Sequence, residues 1–399
     1  MFINNTTFSL QKKREDFALN VKRIDRETLL SNNRKKMIEQ NNNDIEVDKT
    51  LHLLYEAIKV YNKKDIKNGF KQINNFNNFN QEQEIRLVYM IEIILKLKVE
   101  DDNSALHNEC LNILVKLSLL NNSSQELFTT LSMLCLLMEK YNNHINQALS
   151  YQILDKILAF IGNISCNNGF ISAFTSNLID ILQYQIIFGQ KRLLFQAIWA
   201  LNNILYAIHN ETALLNQVLR RIGESEMPHY LVQYVKKNEY RLDTNQLIQI
   251  YWLYAELSQI IPYDFAQLQV KEADCLELQL IKLFIYSNLT GKQIIPINCN
   301  INQLLNLFPV SHILIQRQLL VIIANLVLQT EIELETLKNL INFAFPICPI
   351  DTMFLLHNCQ VKYNLQLNQI EKDNILRIVD ELQKESLIQD LVKQLKLNN

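Results

Sequence analysis

The chain has 399 residues, a formal net charge of −2, and only six glycines and six prolines. So few turn formers argue against a β-rich or α/β fold, and a pI near 6.4 gives no support to direct nucleic-acid binding by the body of the protein. The seven cysteines (Cys110, Cys135, Cys166, Cys275, Cys299, Cys348, Cys359) are scattered, without a C-x-x-C pair or a His/Cys cluster, so no disulfide framework, metal site or cofactor is expected.

Charge is unevenly placed from the start. Between Gln11 and Met37, nine positive side chains stand against four negative ones, a net of +5 that leaves −7 for the remainder. This stretch reads as a basic helical arm, because Phe17, Val21, Ile24 and Thr28 recur on one face while Lys22, Arg23 and Arg26 project around it. Such an arm is expected to be loosely tethered through EQNNND (39–44) and to fold on entering an acidic groove, charge giving attraction and the apolar stripe giving register. MFINNTTFSL lacks the apolar core of a signal peptide, and runs such as LLVIIANLVL (319–328) are too short to cross a bilayer. No membrane insertion is expected. The N-x-[ST] matches, NTT at 5–7 among them, then count as by-products of asparagine richness.

From about residue 46 onward the chain reads as apolar helices separated by short Asn-rich breaks. Six segments repeat one design: AFIGNIS (159–165), WALNNIL (199–205), WLYAELS (252–258), FIYSNLT (284–290), VIIANLV (321–327) and FLLHNCQ (354–360). Each carries a polar residue, usually Asn, in its fifth place, and the mean spacing of 39 residues falls just below the roughly 40–47 of armadillo and HEAT units. The expected fold is therefore an all-α array of about eight units over residues 46–399, without a sheet. Burying an amide without partners costs about 1–3 kcal/mol. Each recurring Asn therefore either bonds a neighbouring loop or stands in a row along a groove, offering donor and acceptor to a bound peptide; position alone leaves both open. An earlier candidate unit, NILVKLS (112–118), puts Asn112 and Lys116 in the corresponding places, where a positive charge is expected to repel a basic ligand. No P-loop, G-x-G-x-x-G, H-E-x-x-H or G-x-S-x-G motif occurs, so an enzyme is not expected.

The stretch FQAIWALNNI (195–204), with Trp199 and Asn203 one helical turn apart, resembles the W-x-x-x-N signature of the importin-alpha family of nuclear import adaptors. In the same order FIGNIS looks like that family's third armadillo repeat, WALNNI its fourth, YWLYAELS its fifth, IYSNLTG its sixth, VIIANLV its seventh and FLLHN its eighth. REDFALNVKRIDRETLLSNNRK, from Arg14 to Lys35, is similar to the family's importin-beta-binding arm, with matches at Arg14, Glu15, Lys22, Arg23, Arg26, Glu27, Leu30 and Arg34.

The resemblance implies a right-handed armadillo-repeat solenoid (46–399) behind a flexible basic arm and linker (1–45). It implies an adaptor that carries basic-signal cargo to an importin-beta-type carrier and shuttles between cytoplasm and nucleus. Trp199, Asn203, Asn163, Trp252, Asn288, Asn325 and Asn358 would hold the cargo peptide. Lys12, Lys13, Arg14, Lys22, Arg23, Arg26 and Arg34 would engage the carrier, and Arg34, Lys35 and Lys36 would lie back in the chain's own groove. Only Trp199/Asn203 is a complete pair. Ala159, Phe284, Val321 and Phe354 stand where the family has Trp, Trp252 is followed by Glu256, and the lysine-reading Asp is Asn167. An armadillo-type scaffold without signal-peptide cargo is the alternative reading.

Overall fold

A computed structural model describes residues 44–76, 79–99, 101–119, 126–143, 147–167, 169–260, 275–296 and 299–364. The arm residues Lys12, Lys13, Arg14, Lys22, Arg23, Arg26, Arg34, Lys35 and Lys36 lie outside the described residues. All regular structure among the described residues is helical, and no strand occurs there. The chain divides into two compact units, one ending at Val218 and the other beginning at Leu219.

The first unit contains α1 (Asp44–Lys59), α2 (Lys63–Ile73), α3 (Gln81–Leu95), α4 (Asp101–Ser118), α5 (Glu126–Asn142), α6 (Gln147–Ile164), the short α7 (Phe170–Ala173), α8 (Ser176–Ile187) and α9 (Leu194–Ala207). They pair as α1/α2, α3/α4, α5/α6 and α8/α9. Alternate helices also pack on one another, which makes two rows: α1, α3, α5, α8 and α2, α4, α6, α9. Beyond α10 (Thr212–Gly223), which straddles the division, the second unit holds α11 (Met227–Asn238), α12 (Thr244–Leu257), α13 (Leu276–Gly291), α14 (Ile301–Leu307), α15 (Ile313–Val327), α16 (Leu334–Ala344) and α17 (Pro349–Tyr363). Here α12, α13, α15 and α17 form the row, backed by α11 on α12, α14 on α15 and α16 on α17.

Local sequence explains where the helices begin. The Asn-rich breaks act as caps: Asn80 and Asp243 form capping boxes with Gln83 and Gln246, while Asn62 and Asn300 cap α2 and α14 through side-chain oxygens. Pro349 opens α17, where its missing N–H costs nothing. Position in a row explains how apolar each helix is. On α15, covered by α13, α17 and α14, every residue from Leu319 to Ala324 is buried, whereas α2 buries only Ile66, Gly69, Phe70 and Ile73 and leaves its other face polar.

Candidate peptide-binding face

The six recurring polar positions all fall on row helices: Asn163 on α6, Asn203 on α9, Glu256 on α12, Asn288 on α13, Asn325 on α15 and Asn358 on α17. The asparagines reach the preceding helix of their row. Asn163 Nδ2 donates to Ser118 Oγ at 3.2 Å, and Asn203 to the Gly162 carbonyl at 3.0 Å. Asn288 donates to the Ala255 carbonyl and to Ser258 Oγ, both at 2.9 Å. Asn325 donates to the Ser287 carbonyl at 3.4 Å and Thr290 Oγ1 at 3.2 Å, and Asn358 to the Ala324 carbonyl at 2.7 Å.

The acceptors follow a rule. Each is the carbonyl one residue before, or the hydroxyl two residues after, the polar position of the preceding helix. Those hydroxyls donate back along their own helices, Ser118 to Val115, Ser258 to Ala255 and Thr290 to Ser287, which frees their lone pairs for the incoming amide. The amide nitrogens thus tie neighbouring helices together. The side-chain oxygens of Asn163, Asn203, Asn288, Asn325 and Asn358 accept no hydrogen bond among the described residues, and none is sealed from solvent.

A second rung stands four residues further on. Asn167 donates to the Ser118 carbonyl at 3.4 Å, Gln329 to that of Thr290 at 2.6 Å, Lys362 to that of Thr330 at 2.6 Å, and Lys292 to that of Gln259. Lys116, at the polar position of α4, donates to the carbonyl of Asn74 at 2.7 Å and to that of Phe76. These carbonyls lie at the C-terminal ends of row helices or up to three residues beyond them, where intrahelical donors run out and a cation also complements the helix dipole. Lys116, expected to repel a basic ligand, thus spends its donors on the chain itself. Its side chain is buried and turned into the end of α2, and loss of solvent lowers its pKa below the ordinary lysine value.

Two signals escaped the sequence reading. The first is the Ser or Thr two places after the polar residue in KLS (116–118), ELS (256–258) and NLT (288–290), whose hydroxyls accept the amides of the next row helix, so the N-x-[ST] match at 288 belongs to this hydrogen-bonding pattern; in NIS (163–165) Ser165 Oγ instead donates to the Gly162 carbonyl. The second is Gly162, one of six glycines in the chain, standing inside a helix where glycine weakens the structure unless something approaches closely.

What approaches is Trp199. Its six-membered ring lies over Gly162, so near that a Cβ there would stand 2.0 Å from Cζ3 and 2.5 Å from Cε3. The Gly162 carbonyl also takes the Asn203 N–H. Gly162, Trp199 and Asn203 therefore form one lock between α6 and α9, with the indole half-buried. Trp252 sits differently: it is buried, its Nε1 donates to Glu277 Oε1 at 3.0 Å, and its ring lies 6.0 Å from that of Phe284. The fold brings Asn163, Trp199 and Asn203 together in the first unit, and Trp252, Asn288, Asn325 and Asn358 along the row of the second. At the places matching Trp199, Phe284, Val321 and Phe354 are buried and Ala159 is half-buried.

Some charges on the row helices are held by neighbours. Lys156 Nζ meets Asn108 Oδ1 at 2.5 Å, and burial lowers the Lys156 pKa while raising that of Asp155 beside it. Arg317 Nε holds Asp351 Oδ2 at 2.8 Å, tying α15 to α17. Among the described residues no helix is long and apolar enough to cross a membrane, and no group of His, Cys, Asp and Glu is placed to hold a metal ion. No protein-family model matches the chain, and no curated protein sequence matches it.

Proposed function

We propose that the chain is an armadillo-type solenoid working as a nuclear import adaptor of the importin-alpha kind. Its basic arm docks to an importin-beta-type carrier, and the row face around Trp199 and Asn203 takes the basic signal of a cargo protein. Residence in both cytoplasm and nucleus follows from that role. The observation that carries the reading is the lock on Gly162: a half-buried indole fixed beside a buried asparagine whose oxygen takes no hydrogen bond among the described residues. An indole face attracts a Lys or Arg side chain by about 0.5–2 kcal/mol, and an amide oxygen without a donor suits a peptide N–H. Helix pairs packed in register within each unit support the solenoid, since repeat arrays bury their apolar faces by stacking such pairs.

One observation favours the scaffold reading for the second unit. Asn288 and Asn325 each direct their amide nitrogen at two acceptors of the preceding helix, and the Trp252 N–H is held by Glu277. That row then maintains shape and takes a partner without a basic signal.

Calorimetric titration of a Lys/Arg-rich peptide separates the two readings. On the adaptor reading, Trp199→Ala weakens the peptide by about 1–2 kcal/mol, roughly ten-fold. No binding at millimolar peptide, with the fold intact, would sink it in favour of the scaffold. For the arm, reversal of Lys22, Arg23 and Arg26 to Glu should abolish capture of an importin-beta-type carrier; unchanged capture would mean the arm is not the carrier's ligand.

A further inference from the structure

A row helix with a row neighbour on one side only should bury a single stripe, and α2 does so with Ile66, Gly69, Phe70 and Ile73. The last described row helix, α17, behaves otherwise. It packs mainly on α15 and α16, yet every residue from Asp351 to Leu356 is buried, a pattern like that of α15, which stands between two row helices. Bonds fix the orientation of α17. Asp351, Asn358 and Lys362 reach α15 or the turn beyond it, and at about 100° per residue Met353, Leu356 and Gln360 point away from it. Met353 and Leu356 are nevertheless fully buried. Beside them His357 Nδ1 is shut off from solvent with no hydrogen-bond partner among the described residues, and burial lowers the pKa of the ring. No other described helix packs closely on α17 to account for this.

We propose that the chain's own residues 375–397 dock on this side of α17. They lie outside the described residues, and their sequence repeats the plan of a helix pair. Ile375, Ile378, Val379 and Leu382 mark one apolar stripe, and Ile388, Leu391, Val392 and Leu395 mark a second. Between them Ser386 and Gln389 make the S-x-x-Q signature of a capping box. The second stripe carries the design of the row helices: LVKQ (391–394) parallels LLHN (355–358), which sets Gln394 in the place of Asn358. That step is 36 residues, and the three steps before it, from Glu256 through Asn288 and Asn325 to Asn358, are 32, 37 and 33. By the rule of the ladder, the Gln394 amide then meets the His357 carbonyl, one residue before Asn358. The eight units expected from the sequence are already accounted for by α2, α4, α6 and α9 in the first unit and α12, α13, α15 and α17 in the second, so this pair is an additional one. Its spacing and pattern select a segment of this chain over a second copy or a foreign helix. The proposal stands apart from the cargo reading and from the arm.

The test is hydrogen exchange of the full chain, read by mass spectrometry over residues 353–360. Leu391→Asp with Leu395→Asp puts charge into the second stripe and should speed exchange there at least about ten-fold, with α4 and α6 unchanged. Where that variant loses protection throughout the chain, Gln394→Ala carries the test, with a rise of about five-fold confined to α17 from the lost hydrogen bond. Unaltered protection of residues 353–360 overturns the proposal. Sedimentation velocity separates the chain's own segment from a second copy: in the unaltered chain, protection of α17 should hold through a dilution of about a hundred-fold. Protection that falls on dilution, in step with dissociation of a dimer, would make a second copy the cover and overturn the proposal too.

Discussion

Gly162→Ala tests the lock between α6 and α9. The added methyl would stand 2.0 Å from Trp199 Cζ3, 2.5 Å from Cε3 and 2.6 Å from Cη2, whereas ordinary contact begins near 3.4 Å. A flat, rigid ring must then retreat by about 1.4 Å or carry α9 with it, and the second route stretches the Asn203 to Gly162 hydrogen bond. Overpacking of this kind costs about 1–3 kcal/mol and the lost bond about 1, so a total near 2–4 kcal/mol is expected. The background decides the sign. With Trp199→Ala the obstruction is gone, and Gly162→Ala should instead stabilise by about 0.5–1 kcal/mol, the helix preference for Ala over Gly. Urea denaturation of the four proteins completes the cycle by circular dichroism. Because the chain has two tryptophans, a Trp252→Phe background lets fluorescence report the seat of Trp199 alone. Equal effects of Gly162→Ala with and without the indole would refute the lock.

Three further outcomes are expected. Asn288→Ala removes the donor shared by the Ala255 carbonyl and Ser258 Oγ and should cost about 1–2 kcal/mol in urea denaturation; Asn288→Asp, which aims a carboxylate at the same carbonyl, should cost more, and the reverse order would contradict the ladder. Lys116→Met leaves two carbonyls at the end of α2 without their donor and should destabilise by about 1–3 kcal/mol; a gain in stability would mean that burying the ammonium outweighs its bonds. His107 sits with Nε2 3.1 Å from the Ile94 carbonyl and Nδ1 2.8 Å from Tyr141 Oη, and burial, helped by the charge of Lys140, lowers its pKa from 6.5 to about 4 against the opposing pull of the Ile94 bond. The unfolded chain therefore takes this proton first as pH falls. Stability is full above about pH 6.5 and declines toward pH 4 by up to about 3 kcal/mol, and His107→Gln should flatten that part of a plot of urea midpoints against pH.

The helical fold was legible because its signals are local. Asn62, Asn80, Asp243 and Asn300 cap helices within three residues of themselves, and a polar residue inside an apolar run marks α6, α9, α12, α13, α15 and α17 without any partner being known. The lock and the ladder were less legible because their partners are distant. Asn203 could be seen to need an acceptor, but the Gly162 carbonyl lies 41 residues earlier, and spacing does not tell which way a side chain reaches. Lys116 is a case of the same kind: the sequence shows a charge, and only the fold shows the helix end that receives it. Gly162 could have been flagged by its cost inside a helix, although nothing in the sequence names Trp199 as the group that requires it.

The ladder points backwards along the chain, and synthesis runs forwards. When Ser118 leaves the ribosome, the last turn of α4 lacks the amides that will later close it, because Asn163 and Asn167 follow 45 and 49 residues behind. At about 5–20 residues per second that is a wait of roughly 2–10 s, during which the helix end has only water for its carbonyls. Shorter intervals of 30 to 39 residues recur at α12, α13 and α15. At these four helix ends the pair is thus finished by its successor, and a chain stopped between two such rungs ends in a helix whose final carbonyls have not yet met their donors.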